Sequence, residues 1–168
     1  RVAEIDENAR RQMEREALKS HLDGRRAIGD YDAFFCYNSD DGDAVRTIAN
    51  QVMERGVLPW LFERDQRPGT EWLKELQNAT ISFKAGVIFI GNHGLGRWQP
   101  SEIDMLMSEA IKRQGFLPIP VILPGTMTEP RFPPIIGTRH TIDFRKSDPD
   151  PIQALIWGIT GEIPKLDI

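Results

Sequence analysis

The sequence predicts an α/β domain in which a parallel sheet is covered by helices on both faces. From Tyr31 onward, short apolar segments alternate with longer segments that carry apolar residues at helical spacing. The short segments are apolar throughout, which is typical of strands buried on both faces of a parallel sheet. The chain has 168 residues, 40% of them hydrophobic, which is enough for one domain with its own core.

The elements follow one another along the chain from residue 30. The predicted strands are Tyr31–Tyr37, Val57–Phe62, Lys84–Ile90, Phe116–Leu123 and Thr138–Phe144. The predicted helices run from the capping residues Asn38–Asp41 to Arg55, from Thr70 through Trp72 to Ala79, from Gln99 to Gln114, and from Pro151 to Gly161. Pro59 indicates an edge position or an irregular start for the second strand, and Pro118 and Pro120 place the fourth near an edge or limit its pairing.

Residues 1–29 differ from the rest, because they are rich in charge and contain no Gly or Pro before Gly24. Apolar residues recur there at helical spacing: Val2, Ile5, Ala9, Met13 and Ala17. We predict an amphipathic linker helix that ends near Asp23–Gly24, with a partner-binding or coiled-coil helix as the alternative. Because the first residue is Arg1, we expect this helix to be the C-terminal part of an upstream module.

Composition argues against several classes of function. A net charge of -4 disfavours nucleic acid as a direct partner, and no apolar run approaches the roughly 20 residues that span a bilayer. The single Cys36 fits a reducing compartment. The three histidines fall on separate elements, so no metal-ligand spacing is present, and no serine-hydrolase signature appears.

The candidate site is the loop after the third predicted strand, where it enters a helix. Trp98 and Glu102 lie one helical turn apart there, at the carboxyl edge of the sheet, where parallel α/β proteins bind ligands. Glu102 can be explained as an acid that stabilises a helix N-terminus. The positive end of the helix dipole at that N-terminus favours the ionised form of the carboxylate, which suits a group that stabilises positive charge. The glycines of this loop, Gly91, Gly94 and Gly96, match neither a nucleotide P-loop nor a dinucleotide fingerprint.

Three segments together resemble a TIR (Toll/interleukin-1 receptor) domain. Strand Tyr31–Tyr37 followed by Asn38–Asp41 is similar to the first box of the family, and Arg64–Gly69 is similar to the second, the BB loop. Trp98–Glu102 resembles the Trp-x-x-x-Glu signature of TIR domains that consume NAD. The resemblance covers residues 30–161 and is strongest to the prokaryotic, NAD-consuming branch.

The resemblance implies a flavodoxin-like, five-stranded parallel sheet over residues 30–168, with an NAD+ glycohydrolase activity. Such an enzyme cleaves the nicotinamide–ribose bond and yields nicotinamide with ADP-ribose or a cyclic variant. Glu102 would be the catalytic residue. Implied substrate-binding residues are Trp98, Tyr37, Asn38, Ser39, Arg67 and Trp72. Implied BB-loop residues that gate the site or mediate assembly are Arg64, Asp65, Pro68 and Gly69.

The resemblance also implies partners and a setting. It implies NAD+ as the substrate without a cofactor or a metal, other TIR domains as partners in a homo-oligomer or filament, and an upstream sensor domain. We expect a cytoplasmic protein of innate immunity, activated by self-assembly in an antiviral defence or cell-death response, with no membrane partner. One alternative is a non-catalytic scaffold acting through the BB loop, as in many animal TIR domains that lack the Trp-x-x-x-Glu pair. Another is a response-regulator or flavin-binding fold, which the acidic first loop and the absence of an Asp after Ile90 disfavour.

Overall fold

A computed structural model describes residues 1–71, 74–75, 83–96, 100–113 and 115–168, with backbone only for residues 100–102. The strands are β1 (Ala33–Cys36), β2 (Pro59–Leu61), β3 (Ala85–Ile90), β4 (Leu117–Ile122) and β5 (Ile142–Asp143). The helices of the described part are α1 (Val2–Ala27), α2 (Gly42–Met53), α3 (Phe62–Asp65), α4 (Pro100–Ile111), α5 (Pro134–Gly137) and α6 (Pro151–Thr160). The helix predicted after Thr70 falls mostly outside the described residues.

The five strands form one parallel sheet in the order β2-β1-β3-β4-β5. Helices α2 and α6 contact each other on one face, and α4 and α5 contact each other on the opposite face. The predicted flavodoxin-like architecture with an N-terminal helix is therefore confirmed. The chain crosses from β1 to one neighbour, β2, and later returns to the other neighbour, β3, so the order reverses between β1 and β3. Ligands of open α/β sheets bind in the crevice at such a reversal.

A cluster of phenylalanine rings fills the centre of the core. Phe34 of β1 packs against Phe83 and Phe116, with ring centroids 5.6 and 6.1 Å apart. Its register partner on β3 is Gly86, and a Cβ added there would lie only 2.6 Å from the Phe34 ring. The absence of a side chain at Gly86 therefore leaves the space that the Phe34 ring occupies.

Proline has the predicted effect in β2 and in β4. Strand β2 is an edge strand, as Pro59 predicted, and β4 lies near an edge, because its neighbour β5 is the edge strand. The amide of Leu117 donates toward β3, so the alternating positions Pro118 and Pro120 face away from β3. Limited pairing is confirmed there, because β5 pairs only with Val121 and Ile122.

Helix α1 is longer than predicted, because it continues through Gly24 to Ala27. Nothing lies within 4 Å of a Cβ built at Gly24, and the chain leaves the helix at Gly29, whose φ is +73°. The guanidinium of Arg25 binds both oxygens of Asp32, at 2.9 and 3.0 Å. This bidentate contact holds the last turn of α1 against the start of β1. It outweighs the low helix propensity of Gly24, so the helix continues past that residue.

The other differences are at strand ends and in loops. Strand β5 has two residues instead of the seven predicted, and the Pro/Gly-rich segment before it contains the short helix α5. The polar segment predicted as a loop after β2 begins with the helical turn α3. Helix α6 matches its prediction, since the Asp150 side chain caps its first turn and Gly161, with φ +77°, ends it.

Candidate active site at the β1/β3 crevice

The loop after β1 lies in the crevice and is tied to the loop after β3 by Asn38. The Asn38 side chain accepts a hydrogen bond from the amide of Asp40 at 3.0 Å and donates one to the carbonyl of His93 at 2.8 Å. Asn38 is buried, and a Cβ at Gly96 would lie 2.9 Å from its carboxamide carbon. Gly96 therefore permits a close approach of the two loops, which explains a glycine that matched no phosphate motif.

Asn92 ties the loop after β3 to the loop after β4. Its amide group donates to the carbonyl of Gly125 at 3.0 Å, and its carbonyl oxygen accepts from the amides of Met127 and Thr128 at 2.7 and 3.3 Å. Three of the four loops at the carboxyl edge are thus joined through two asparagine side chains. Asn92 was not predicted as a site residue, and its place directly after a buried strand was the signal for it.

Asn92→Ala is expected to release the loop after β4 while leaving the sheet intact. Each lost hydrogen bond contributes about 0.5–1.5 kcal/mol, so the loop should open far more often than in the wild type. Hydrogen exchange followed by NMR would show the amides of Met127 and Thr128 exchanging at least tenfold faster, with the β3 amides unchanged. Asn8→Ala, on the exposed surface of α1, is the control. Unchanged exchange at Met127 would contradict this role of Asn92.

A second residue of the crevice, Asp41, was predicted only as a helix cap. Its Oδ2 atom is buried without a hydrogen-bond partner among the residues that the structure describes. Burial raises the pKa of Asp41, and nearby Asp40 adds to this, whereas His93 opposes it. A Cβ at Gly91 would lie 2.9 Å from the Asp41 carboxylate, so Gly91 allows the strand end to pass beside it.

Glu102 is the third residue of α4, so its backbone lies in the first turn of the helix that follows β3. The predicted position of this residue on the fold is therefore correct, while its side chain and the whole of Trp98 lie outside the described residues. The first turn of a helix carries unpaired amides and the positive end of the helix dipole.

The first-loop residues predicted to bind substrate occupy different environments. Tyr37 is fully buried and packs on Phe62, with ring centroids 4.9 Å apart. Burial raises the pKa of Tyr37, with a further contribution from Glu63. Ser39 is exposed at the crevice, in the short 3₁₀ turn before α2. The roles in substrate binding of Tyr37, Asn38 and Ser39 stay predictions.

Two of the predicted BB-loop residues bind the outer edge of β2. Arg64 donates to the carbonyl of Pro59 at 2.5 Å, and the amide of Leu61 donates to Asp65 at 2.9 Å. The Asp65 carboxylate is 0% exposed and also pairs with Arg64 at 2.7 Å and with Arg26 of α1 at 2.9 Å. Arg64 and Asp65 therefore hold the base of the BB loop, and their predicted part in gating or assembly stays a prediction.

The tip of the BB loop projects from this base. Arg67, Pro68 and Gly69 are all exposed, and Thr70 donates from its hydroxyl to the carbonyl of Arg67 at 2.6 Å. Gly69 has a φ of +90°, which a residue with a side chain rarely adopts. Trp72, the last of the predicted substrate-binding residues, lies outside the described residues. The exposed tip is thus available for contact with a ligand or a second protein.

The described residues were also searched for a metal site, for other clefts and for a membrane-spanning helix. Within the ranges given above, no group of three or more His, Cys, Asp and Glu side chains is arranged to hold a metal ion. A separate cleft of about 550 Å³ lies between α2 and the start of α6, and none of the predicted site residues lines it. Among the helices that the structure describes, none combines the length and apolarity needed to cross a membrane.

Comparison with solved structures supports the fold. The TIR domain of the Toll-related receptor TRR-2 from Hydra magnipapillata is 15% identical, with a TM-score of 0.55, and the match covers 73% of this chain and 90% of that one. A TIR-STING receptor from C. gigas in complex with 2',3'-cGAMP is 24% identical over 77% of this chain and 39% of that chain, with a TM-score of 0.57. Another structure of a TIR-STING receptor from C. gigas is 28% identical over 74% and 40%, with a TM-score of 0.53. The chain thus spans about two fifths of these receptors.

Comparison with protein families gives the assignment. A search of curated proteins finds no match to this chain. The family model described as a TIR domain matches residues 34–156, from β1 to the middle of α6. This range contains the whole sheet apart from the first residue of β1, and all the loops of the crevice. The chain therefore belongs to the TIR domain family.

Proposed function

We propose that this TIR domain is an NAD+ glycohydrolase of the NAD-consuming type, with Glu102 as its catalytic residue. The observation that carries the proposal is the position of Glu102. Its backbone lies in the first turn of α4, the helix that follows β3, and β3 is one of the two strands at the reversal of strand order where open α/β sheets bind ligands. Its distance from Trp98 in the sequence matches the Trp-x-x-x-Glu signature of NAD-consuming TIR domains.

The chemistry of NAD+ suits a lone carboxylate. The nicotinamide ring carries a positive charge in NAD+ and leaves as a neutral molecule, so the leaving group needs no proton from an acid. Positive charge then develops on the ribose, as in the oxocarbenium-like transition states of glycoside hydrolysis. An ionised Glu102 would stabilise that charge. Water adds to the anomeric carbon as the carbon–nitrogen bond breaks, giving nicotinamide, ADP-ribose and one proton.

Other residues of the crevice would shape the site around the substrate. Trp98 would stack on a ring of the substrate or form a wall of the site. Asn38 and Ser39 would border the nucleotide, and Arg67 at the exposed BB-loop tip would contact phosphate oxygens. No cofactor or metal takes part. Self-assembly would complete the site through the BB loop, and the activity would serve defence or cell death in the cytoplasm, controlled by an upstream sensor domain.

Glu102→Gln is expected to abolish NAD+ cleavage because it removes the negative charge and keeps the shape of the side chain. We expect a fall in kcat of at least about 100-fold, the effect of losing one electrostatic contact in a transition state. The measurement is nicotinamide release by chromatography, with the chain fused to an oligomerising module. The same trace separates ADP-ribose from cyclic or base-exchanged products. Glu109→Gln, an exposed position on the same helix, is the matched control and should stay within twofold of wild type.

The second candidate function is a non-catalytic scaffold, which the exposed tip of the BB loop also supports. The same experiment distinguishes this scaffold from the NAD+ glycohydrolase. Equal rates for Glu102→Gln and wild type would reject Glu102 as the catalytic residue. If the assembled wild-type chain releases no nicotinamide at all, the scaffold function is favoured. In that case, substitution of Arg67 should weaken binding to other TIR domains without any enzymatic effect.

A further inference from the structure

Among the residues that the structure describes, helix α1 contacts the rest of the domain along the side that carries Leu18 and Leu22. Leu18 and Leu22 line a groove together with Met53 and Leu58 of the domain, and Leu22 is only 7% exposed. Arg25 and Arg26 add the ion pairs to Asp32 and Asp65. These contacts come from the C-terminal part of a 26-residue helix that is about 39 Å long.

An apolar stripe lies on the opposite side of the same helix. At 3.6 residues per turn, the positions that point away from Leu18 and Leu22 include the following, which we call the outer stripe: Val2, Ile5, Ala9, Met13 and Ala17. Val2, Ile5 and Met13 are 74%, 66% and 70% exposed. Three large apolar side chains on one face of a solvent-exposed helix indicate a surface that a partner covers.

The rest of α1 offers little to stabilise its N-terminal half. Arg10 pairs with Glu7 and with Glu14, both at 2.5 Å, but these pairs are exposed and contribute only about 0.2–0.5 kcal/mol each. An isolated helix of about 12–15 residues, which is the length of this N-terminal half, is marginal in water. A partner on the outer stripe would supply the missing burial.

We propose that the outer stripe pairs with the outer stripe of a second copy of this chain, with the two helices antiparallel. The stripe is nearly symmetric about Ala9, because Ile5 and Met13 both lie four residues from it, and Val2 and Ala17 lie seven and eight residues from it. An antiparallel pair centred on Ala9 therefore places Ile5 against Met13 of the second copy twice. The small side chain of Ala9 at the centre lets the helix axes approach closely.

Charges beside the stripe favour the antiparallel orientation. Asp6 and Glu16 lie within the width of the stripe, and both carry negative charge. In the antiparallel pair, Asp6 lies on the same side as Arg10 of the second copy and about 3 Å from its level along the axis, and Glu16 lies on the same side as Arg1 of the second copy and about 1.5 Å from its level. In a parallel pair, each carboxylate lies at the level of its own counterpart and faces no cation. Opposite charges across a helix pair set partner choice and orientation.

Sedimentation equilibrium of the 168-residue chain tests the association. The interface is small and therefore weak, so concentrations up to about 0.5 mM are needed. We expect a monomer–dimer equilibrium, and Ile5→Glu should raise its Kd at least tenfold, because the substitution occurs twice in each dimer. Arg11→Glu introduces the same group at an exposed position on the opposite side of α1, about 160° around the helix from Ala9, and should leave the Kd within twofold. A monomeric wild-type chain, or equal effects of the two substitutions, would overturn the proposal and point to a different occupant of the stripe.

Cross-linking tests the orientation. The native Cys36 is 1% exposed, so added cysteines would be the accessible thiols of the chain. Ile5→Cys and Met13→Cys variants of different mass are mixed and mildly oxidised. The antiparallel pair should give mainly a disulfide between the two different variants, since the paired positions are close. Disulfides joining two copies of one variant would indicate a parallel pair and reject the proposal. Neither result depends on NAD+ cleavage, so the inference and the proposed activity are tested separately.

Discussion

Asp65→Ala should lower the free energy of unfolding by about 1.5–3 kcal/mol, the usual effect of losing hydrogen bonds to a buried charged group whose arginine partners are about a third exposed. The carboxylate is 0% exposed, and its loss leaves the Leu61 amide and the guanidiniums of Arg26 and Arg64 without this acceptor. Urea denaturation followed by circular dichroism measures the change, which should appear in the midpoint with the slope conserved.

Asp30→Ala is the matched control, because it removes a carboxylate that pairs with Arg25 but is 57% exposed. An exposed pair contributes at most about 1 kcal/mol, so this variant should stay close to wild type. Asp65→Asn should fall between the two, since it keeps an acceptor for the Leu61 amide and loses the charge. If Asp65→Ala and Asp30→Ala unfold at the same urea concentration, Asp65 does not hold the base of the BB loop.

Gly86→Ala should also destabilise the domain, by about 1–3 kcal/mol, because the added methyl group overpacks the core. The new carbon would lie 2.6 Å from the Phe34 ring and 3.0 Å from the terminal methyl of Met107. Phe34 belongs to the neighbouring strand β1, and Met107 belongs to helix α4, which packs on this face of the sheet. The Phe34 ring is therefore confined and cannot move freely. The urea midpoint is again the measurement.

The same substitution at Gly24 should have the opposite sign. Gly24 lies inside α1, and nothing is within 4 Å of an added Cβ, so alanine there gains about 0.5–1 kcal/mol of helix stability. Helix content measured by circular dichroism should rise slightly.

A second comparison combines Gly86→Ala with Phe34→Leu. The double variant should lose less free energy of unfolding than the sum of the losses of the two single variants. Additive losses would show that Phe34 does not limit the space at Gly86.

Local patterns of apolar residues predicted the strands of the sheet and the helices that cover it. Continuous apolar segments marked β1, β3 and β4, because strands buried on both faces have no reason to alternate. Pro59 correctly indicated an edge, since a residue without an N–H group cannot donate a hydrogen bond to a second neighbouring strand. Pro118 and Pro120 correctly indicated a strand near an edge with limited pairing, but local sequence did not indicate on which side of β4 the pairing is limited. That side is set by the register with β3, which local sequence does not contain.

Long-range contacts explain what the sequence did not predict. The end of α1 depends on Arg25 and Arg26 reaching Asp32 and Asp65, and no local pattern encodes those pairings. The same holds for Asn92, whose partners lie more than 30 residues further along the chain. Glu102 was placed correctly because its signature is local. Its function in catalysis remains a proposal that only the activity measurement decides.

The contacts of Arg64 and Asp65 with β2 restrict how this domain can associate. An edge strand normally presents free amides and carbonyls, which another strand can extend by β-addition. Here the outward-facing carbonyl of Pro59 and amide of Leu61 are already bonded by side chains of the same chain. A foreign strand would have to displace a buried carboxylate before it could add to the sheet at β2. Growth of an assembly from this edge must therefore use helix and loop surfaces, and the domain is protected there from the edge-to-edge aggregation to which exposed strands are prone.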